Sequence, residues 1–232
     1  MSHAVIILQA RMGSKRLPGK SLAQIGARRL VSHCLARLLV GSAAQVMLAT
    51  TNEPEDDPLA DAAAAYCVPV FRGPVDDVLQ RYALAASSVN ARYVVRATAD
   101  NPLTDVEGPE RLLRALRESG ADYVIEEELP YGGAVEAMTA DALHRAAVLA
   151  TDPGDREHVT PLIRRDHERF SALAIKAPAA LRRPDIRVTV DTIEDLQLMR
   201  GLSARMNNWV AVPDLAQAIR VLDASRVESK VA

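Results

Sequence analysis

The chain begins with a pattern of short apolar runs that alternate with amphipathic segments. Runs of about four to eight residues bounded by turn residues are typical of strands buried on both faces of a sheet. We interpret the following runs as strands: Ala4–Leu8, Val46–Thr51, Val68–Phe71, Tyr93–Thr98 and Asp122–Glu126. Apolar residues at helical spacing predict helices at Leu30–Leu39, Leu59–Tyr66, Val75–Ser88 and Val106–Ser119. This alternation predicts an α/β fold, with a parallel sheet wound by helices that binds its ligands at the carboxyl ends of the strands.

The pattern changes beyond Glu126, where the chain becomes acidic and rich in turn residues as far as Gly133. In the remainder we expect strands at Ala134–Met138, Leu173–Lys176 and Ile186–Val190. The expected helices are Ala140–Ala150, with Thr139 as its N-cap, Asp155–Arg165, Ile193–Leu202 and Leu215–Leu222. We expect residues 126–180 to add mixed or antiparallel strands and the lid of a substrate pocket. The whole chain, residues 1–232, is predicted to form a single domain with a mixed, mainly parallel sheet.

Composition narrows the class of protein. The 232 residues are 49% hydrophobic and 25% charged with a formal net charge of −2, which is ordinary for a globular protein. Without a global positive field, we expect neither nucleic acid nor an anionic membrane as a partner. No apolar run reaches transmembrane length and the N-terminus has the pattern of a core strand, so we predict a cytoplasmic location. Cys34 and Cys67 are too few for a disulfide scaffold and are expected to be reduced core thiols.

The loop after the first strand carries much of the candidate chemistry. It holds two glycines and four cations, which are Arg11, Lys15, Arg16 and Lys20. Glycine lets backbone N–H groups approach an anion, and Arg and Lys add charge-assisted bonds to phosphate oxygens. The spacing matches neither a Walker A loop nor a G-x-G-x-x-G fingerprint. The residues by themselves leave two interpretations open, a phosphate-binding loop and a solvated basic loop.

Carboxylates follow two of the predicted strands. Asp100 comes after Tyr93–Thr98, and Asp191 comes directly after Ile186–Val190. Two carboxylates at strand ends suit a hard divalent ion such as Mg²⁺ held between protein and triphosphate. Taken singly, each residue fits a helix N-cap somewhat better. The acidic cluster at residues 52–57 is interpreted as a solvated helix start rather than a metal site, because Asp and Glu favour the first helical turn.

Several strings of this chain resemble one enzyme family. Leu8–Ser14 followed by Arg16–Lys20 resembles the signature loop of the cytidylyltransferases that activate acidic sugars. These include the 3-deoxy-manno-octulosonate and acylneuraminate enzymes, and the similarity is greatest to the branch named after spore-coat polysaccharide biosynthesis protein F. Thr98–Leu103 is similar to the family's segment with a metal-binding Asp, although the commoner form begins with Gln-Gly where this chain has Thr-Ala. Val190–Leu196 is similar to the family's terminal D-T-x-E-D-L, and Arg156–Thr160 matches the spore-coat branch.

The resemblance implies a fold, an activity and partners. The fold would be that of the nucleotide-diphospho-sugar transferases, which is GT-A-like and Rossmann-like. The activity would be Mg²⁺-dependent transfer of CMP from CTP to a sugar, expected to be acidic, with release of pyrophosphate in surface polysaccharide or glycoconjugate biosynthesis. CTP and a sugar acceptor are therefore the expected partners, and pairing through residues 126–180 implies a homodimer.

The resemblance also implies roles for individual residues. Arg16, Lys20 and Asp191 would be catalytic, and Asp100 and Asp191 would bind Mg²⁺. The implied nucleotide-binding residues are Gln9, Ala10, Arg11, Gly13, Ser14, Lys15 and Thr98. The implied sugar-binding residues are Asp77, Arg81, Glu136 and His158.

Other interpretations of these sites and of the activity stay open. Asp77 and Arg81 are spaced as an (i, i+4) surface salt bridge, and His158 also fits a hydrogen-bonded structural histidine. A glycosyltransferase with the same sheet would need a D-x-D-type metal motif, which Asp100–Pro102 does not provide. A third possibility is a protein that binds CTP without turning it over. The presence of both strand-end carboxylates argues against it. The sequence gives no support for a zinc-dependent hydrolase or a serine hydrolase, because it has no H-E-x-x-H, C-x-x-C or G-x-S-x-G motif.

Overall fold

The computed structural model describes residues 3–41, 43–206, 209 and 212–231, with side chains as far as residue 225. The strands within these residues are β1 (Ala4–Gln9), β2 (Gln24–Ile25), β3 (Arg28–Arg29), β4 (Gln45–Thr51), β5 (Val70–Gly73), β6 (Tyr93–Thr98), β7 (Tyr123–Glu127), β8 (Glu136–Thr139) and β9 (Ala172–Lys176). All but β2 and β3 form one sheet, in the order β5-β4-β1-β6-β8-β7-β9. Strands β5, β4, β1 and β6 run parallel, whereas β8 is antiparallel to both β6 and β7. The prediction that residues 126–180 add antiparallel strands to the sheet is therefore confirmed.

Helices cover both faces of the sheet. Those described are α1 (Leu30–Gly41), α2 (Asp57–Ala64), α3 (Val78–Ser88), α4 (Gly108–Ser119), α5 (Ala140–Leu149), α6 (Pro153–His158), α7 (Pro161–Arg165), α8 (Ile193–Arg205) and α9 (Leu215–Val231). Successive side chains of β1 point to opposite faces of the sheet and so belong to two hydrophobic cores. Ile6 and Leu8 pack with α1, α2, α4, α8 and α9, whereas Val5 and Ile7 pack with α3, α5 and α7. None of these helices has the length and apolar character that crossing a membrane requires.

The register of the central strands brings their carboxyl ends to one edge. Gln9, the last residue of β1, lies opposite Ala49 of β4 on one side and Thr98 of β6 on the other. The chain therefore leaves β1, β4 and β6 at the same edge of the sheet. The loop that follows β1 and the segment that holds Asp100 consequently begin side by side.

Two predicted elements differ from the structure. The helix expected at Asp155–Arg165 is broken into α6 and α7, because Val159 has a positive φ of 73° that no α-helix accommodates. The strand expected at Ile186–Val190 makes only one isolated bridge, between Arg187 and Tyr131. Its extended backbone pairs with loops instead of a strand, and the amide of Val190 donates to the carbonyl of Asp100 at 2.7 Å.

The two cysteines are both free thiols but occupy different surroundings. Cys34 is buried in α1, where burial raises the pKa of its thiol to about 12. Cys67 is exposed, so the expectation of two core thiols is correct only for Cys34. Cys67 follows α2 with a positive φ of 54°, which places it in a turn on the surface.

Candidate active site

A cavity of about 440 Å³ opens at the carboxyl edge of β1 and β6. Its volume falls within the range of small-molecule sites in proteins. All but three of the site residues predicted from the sequence line it, namely Gln9, Ala10, Arg11, Gly13, Ser14, Lys15, Arg16, Lys20, Thr98, Asp100, His158 and Asp191. The cationic loop forms one wall of the cavity and is thus more than a solvated basic segment.

Lys20 lies between the two carboxylates that were expected to bind a metal ion. Its Nζ is 3.0 Å from Asp100 Oδ2 and 3.0 Å from Asp191 Oδ1, and it donates to the Val190 carbonyl at 2.9 Å. The Lys20 and Asp191 side chains are only 13% and 9% exposed, so water screens this pairing weakly. Residues separated by 171 positions in the chain therefore meet at one ammonium group.

Asp191 is the most heavily paired carboxylate of the cavity. Besides Lys20, Arg16 lies 2.9 Å from its Oδ1, and Arg187 donates to its Oδ2 at 2.7 Å. Burial acts to raise the pKa of Asp191, but the hydrogen bonds and charges of Lys20, Arg187 and Arg16 outweigh it and hold the pKa below its ordinary value. Asp191 is therefore ionised at neutral pH.

Neither strand-end carboxylate caps a helix. Thr192 is the N-cap of α8, where its side chain accepts from the Asp195 amide and the Asp195 carboxylate accepts from the Thr192 amide. The helix after Asp100 begins only at Gly108. The capping interpretation is thus wrong for both Asp100 and Asp191, and their carboxylates are left to the cavity.

The donor set formed by Asp100 and Asp191 suits a hard cation. Both residues supply carboxylate oxygens, which Mg²⁺ prefers, and both oxygens reach the same ammonium group. Among the described residues, no group of three or more His, Cys, Asp and Glu could hold a metal by itself. A metal ion here would need further oxygen ligands from water or phosphate, which is the usual arrangement for Mg²⁺ at nucleotide sites.

Asp77 and Arg81 do not line the cavity or form the predicted salt bridge with each other. Asp77 caps α3 by accepting from the Gln80 amide, and its other oxygen pairs with Arg156 at 2.5 Å. Arg81 is completely buried and donates to the Pro74 carbonyl. Both residues support the walls around the cavity, so direct sugar binding by them has no geometric support.

Glu136 also lies behind the cavity wall. Its carboxylate accepts from Arg96 at 2.5 Å, from the Tyr123 hydroxyl at 2.5 Å and from the Thr160 hydroxyl at 2.8 Å. Burial acts to raise the pKa of Glu136, but the Arg96 charge and these hydrogen bonds outweigh it and lower the pKa. With both oxygens engaged by protein donors, Glu136 positions Arg96, and it is Arg96 that lines the cavity.

Sequence reasoning missed five residues of the cavity wall, which are Ser21, Val78, Arg96, Ala99 and Glu157. Arg96 left a signal, because an arginine inside the apolar run of β6 is a buried charge that requires a partner. Glu157 lies in a string that matched the spore-coat branch without an assigned role. Ala99 lies between Thr98 and Asp100 in the string that resembles the family's metal-binding segment. No signal in the sequence marks Ser21 or Val78, since their place depends on how loops and helices pack.

The fold and the cavity together define an α/β protein with a cationic loop and two carboxylates at the carboxyl edge of the sheet, where such folds bind nucleotides. The family model described as cytidylyltransferase matches residues 5–220. The chain belongs to the cytidylyltransferase family, and the resemblance seen in its loop motifs is confirmed.

Individual relatives agree with this assignment. The chain is 32% identical to the spore coat polysaccharide biosynthesis protein SpsF of Bacillus subtilis, over 87% of each chain. It is 30% identical to the 3-deoxy-manno-octulosonate cytidylyltransferase of an Anaeromyxobacter species, over 50% of this chain and 48% of that one. The solved structure of a cytidylyltransferase from Leptospira borgpetersenii superposes with a TM-score of 0.90 at 28% identity, covering 98% of this chain and 96% of that chain. The predicted fold class and the prediction of a transferase enzyme are thereby confirmed.

Proposed function

We propose that this cytidylyltransferase joins CMP from CTP to a hydroxyl group of an acidic sugar and releases pyrophosphate. The observation that carries the proposal is the meeting of Lys20 and Arg16 with Asp100 and Asp191 in one cavity. Cations there can neutralise a triphosphate, while the carboxylates can hold the divalent ion that accompanies it. No other part of the described chain combines these groups at the carboxyl edge of the sheet.

The reaction requires the protein mainly to position groups and to stabilise charge. The sugar oxygen forms a bond to the α-phosphorus and gives its proton to water, while the bond from that phosphorus to the bridging oxygen of the β-phosphate breaks. The leaving pyrophosphate carries the developing negative charge, which Arg16 and Lys20 would stabilise by moving from the carboxylates to phosphate oxygens. Arg11, Gly13 and Ser14 would contact the same phosphates from the loop.

Asp100 and Asp191 would hold Mg²⁺ in this proposal. The ion would supply Lewis-acid stabilisation of phosphate charge. Before CTP binds, Lys20 compensates the charge of both carboxylates and keeps them close together. The protein therefore maintains two oxygen ligands for a metal ion without a dedicated cage of side chains.

Several observations support an acidic acceptor in polysaccharide biosynthesis. Relatives of this chain are named 3-deoxy-manno-octulosonate cytidylyltransferase and spore coat polysaccharide biosynthesis protein. Arg96 and His158 also line the cavity, and in this proposal they would contact a carboxylate of the sugar. Gln9 and Thr98, which lie opposite each other at adjacent strand ends, would contact the base in this proposal.

Residues 126–180 are proposed to complete the sugar pocket and to pair two copies of the chain as a homodimer. They include α6, whose Glu157 and His158 line the cavity, and β9, which lies at the end of the sheet. An edge strand presents unpaired backbone groups that a second copy could cover. Sedimentation of the purified protein tests the pairing, and a monomer at micromolar concentration would contradict it.

Pyrophosphate release tests the proposed reaction. The protein is incubated with CTP, Mg²⁺ and a panel of acidic sugars, with neutral sugars and with UTP, ATP and GTP as controls. We expect release with CTP and at least one acidic sugar, and none when the sugar, the metal ion or CTP is left out. Release with UTP alone would contradict the choice of base, and release with neutral sugars alone would contradict the acceptor class. Absence of release under all conditions would contradict the proposal itself.

A further inference from the structure

One member of the acidic cluster at residues 52–57 behaves unlike its neighbours. Glu53, Glu55 and Asp57 are exposed, as expected for a solvated helix start, but Asp56 is only 1% exposed. Asp56 occupies the N-cap position of α2, yet its side chain makes no capping hydrogen bond to that helix. Although Asp56 stands where a capping residue of α2 is expected, its carboxylate therefore points away from that helix.

The two oxygens of Asp56 connect the end of β4 to the cationic loop. Oδ2 accepts from the Thr50 hydroxyl at 2.9 Å, from the Thr51 amide at 3.1 Å and from the Thr51 hydroxyl at 2.5 Å. Oδ1 accepts from the backbone amide of Met12 at 2.7 Å, across 44 residues of sequence. Hydrogen bonds to a buried ionised acceptor are stronger than those between neutral groups.

The Met12 amide belongs to a peptide group that is held from both ends. The carbonyl of that peptide, which is the carbonyl of Arg11, accepts from the Ser21 hydroxyl at 3.3 Å. Asp56 and Ser21 together fix the orientation of this plane at the start of the loop.

The residues on either side of this peptide group line the cavity. Arg11 and Gly13 both contribute to its wall, as do Ser14 and the cations beyond them. Rotation of the Arg11–Met12 peptide would therefore redirect the Arg11 side chain and the amides that follow. A phosphate-binding loop functions through the directions of its N–H groups, so this peptide group is a sensitive place to anchor it.

We infer that Asp56 is a positioning residue that holds the nucleotide-binding loop in its binding conformation before the nucleotide arrives. The inference rests on the proposed function, since the loop is taken to bind CTP. A preorganised loop loses less conformational freedom when the triphosphate binds, so Asp56 acts on nucleotide affinity without touching the nucleotide.

The ionised form of Asp56 is the one that can accept all four hydrogen bonds. Burial acts to raise its pKa, but the hydrogen bonds from Thr51, Met12 and Thr50 outweigh burial and lower the pKa. The neutral amide of asparagine would place its NH₂ group against either the Met12 amide or the donors of Thr50 and Thr51, and two donors cannot form a hydrogen bond with each other. Asp56→Asn therefore keeps the shape of the side chain and removes part of the anchor.

Hydrogen exchange and kinetics on matched variants test the inference. Asp56→Asn is compared with Asp57→Asn, whose side chain is 62% exposed and pairs with Arg72. In Asp56→Asn we expect faster amide exchange in residues 10–19, with exchange in β1 unchanged. We also expect the KM for CTP to rise on the order of tenfold or more, with a smaller change in kcat, because a lost bond to a charged group is worth about that factor. Asp57→Asn should change neither quantity.

Each outcome supports or contradicts the inference. Unchanged loop exchange in Asp56→Asn would overturn it, as would general loosening of β4 and α2 with no change in KM. If Asp56→Asn does not fold, Thr50→Val replaces it, because it removes one donor to Oδ2 while keeping the side-chain shape. Faster loop exchange in Thr50→Val would support the inference, and wild-type exchange would contradict it. A wild-type protein that releases no pyrophosphate from CTP contradicts the proposed function, whereas the exchange measurement still decides the role of Asp56.

Discussion

At the scale of single residues, the cavity is held together by charges that compensate one another. Asp100 and Asp191 would repel each other if they shared a site alone, and Lys20 offsets that repulsion with an ammonium group 3.0 Å from each. Arg16 and Arg187 add two further positive groups around Asp191. This surplus of cations around one carboxylate prepares the site for the negative charge of a triphosphate.

Removing the Lys20 ammonium should abolish most of the turnover while the protein stays folded. We expect Lys20→Ala to lower kcat by about 10²–10³-fold, which is the usual effect of removing one group that stabilises transition-state charge. Pyrophosphate release measures the rate, and circular dichroism checks the fold. Lys176→Ala is the matched control, because this lysine of β9 is 67% exposed and pairs with Glu128 away from the cavity. Near-wild-type turnover in Lys20→Ala would remove Lys20 from the mechanism.

Asp191→Asn should have a comparable effect for a different reason. The amide keeps the size of the side chain but removes the charge that pairs with Lys20, Arg16 and Arg187. We expect a large loss of kcat together with weaker Mg²⁺ dependence, measured by titrating Mg²⁺ in the pyrophosphate assay. Asp185→Asn serves as the control, since Asp185 pairs with Arg183 on the surface. A variant with unchanged rate and unchanged Mg²⁺ dependence would contradict the proposed role of Asp191.

At the scale of elements, the antiparallel strand β8 links the nucleotide half of the sheet to the middle section. The carboxylate of Glu136, the first residue of β8, accepts hydrogen bonds from Arg96 of β6, Tyr123 of β7 and Thr160, which lies between α6 and α7. One buried carboxylate thus connects the strand that carries Arg96 into the cavity with the segment that carries His158. Val159, whose positive φ breaks the predicted helix, lies beside this connection.

Glu136→Gln should destabilise the protein strongly. The change leaves Arg96 without its buried anion, and removing one partner of a buried ion pair typically costs about 3–5 kcal/mol. The free energy of unfolding is measured by urea denaturation. Glu127→Gln at the exposed end of β7 is the control and should change stability by less than about 0.5 kcal/mol. Equal stabilities of the two variants would contradict the buried-pair interpretation.

At the scale of the whole molecule, two hydrophobic cores lie on opposite faces of one sheet. A buried histidine makes the free energy of unfolding of this molecule depend on pH. His33 in α1 is 2% exposed, its Nε2 lies 2.8 Å from the Ile25 carbonyl, and its ring packs edge-on against Trp209. Burial is the largest influence and lowers the pKa of His33; the hydrogen bond to the Ile25 carbonyl acts to raise it, and the nearby charges of Arg28 and Arg37 lower it further. The folded protein therefore favours the neutral ring.

The free energy of unfolding should fall as the pH decreases from about 7.5 to 5.5. A histidine whose folded pKa is lowered contributes stability that is present above its unfolded pKa of about 6.5 and is lost below it, because only the unfolded state then takes up the proton. Urea denaturation across this range measures the slope. We expect His33→Gln to flatten it and His3→Gln, at an exposed position, to leave it unchanged. A slope that persists in His33→Gln would contradict this account.

Much of the site could be predicted because its residues follow the strands directly in sequence. Residues that end a buried parallel strand meet at one edge of the sheet, so the pattern predicted where Asp100 and the cationic loop lie. The resemblance to the family, and not the pattern, supplied their expected roles. Glu136, Asp77 and Arg81 were not placed correctly, because a carboxylate or guanidinium near the site can face the ligand or a neighbouring side chain. The tertiary structure decided between these outcomes, by bringing Arg96 to Glu136, Arg156 to Asp77 and the Pro74 carbonyl to Arg81.

The order of apolar and polar residues determined the α/β class and the location of most strands and helices, since these depend on local periodicity. The resemblance of short strings to known motifs indicated the family. The tertiary structure alone decided that Lys20 stands between Asp100 and Asp191, that Glu136 supports Arg96, and that Asp56 turns from its helix to the Met12 amide. These contacts join residues 40 to 171 positions apart. Their geometry follows from the packing of separate elements, which no local pattern encodes.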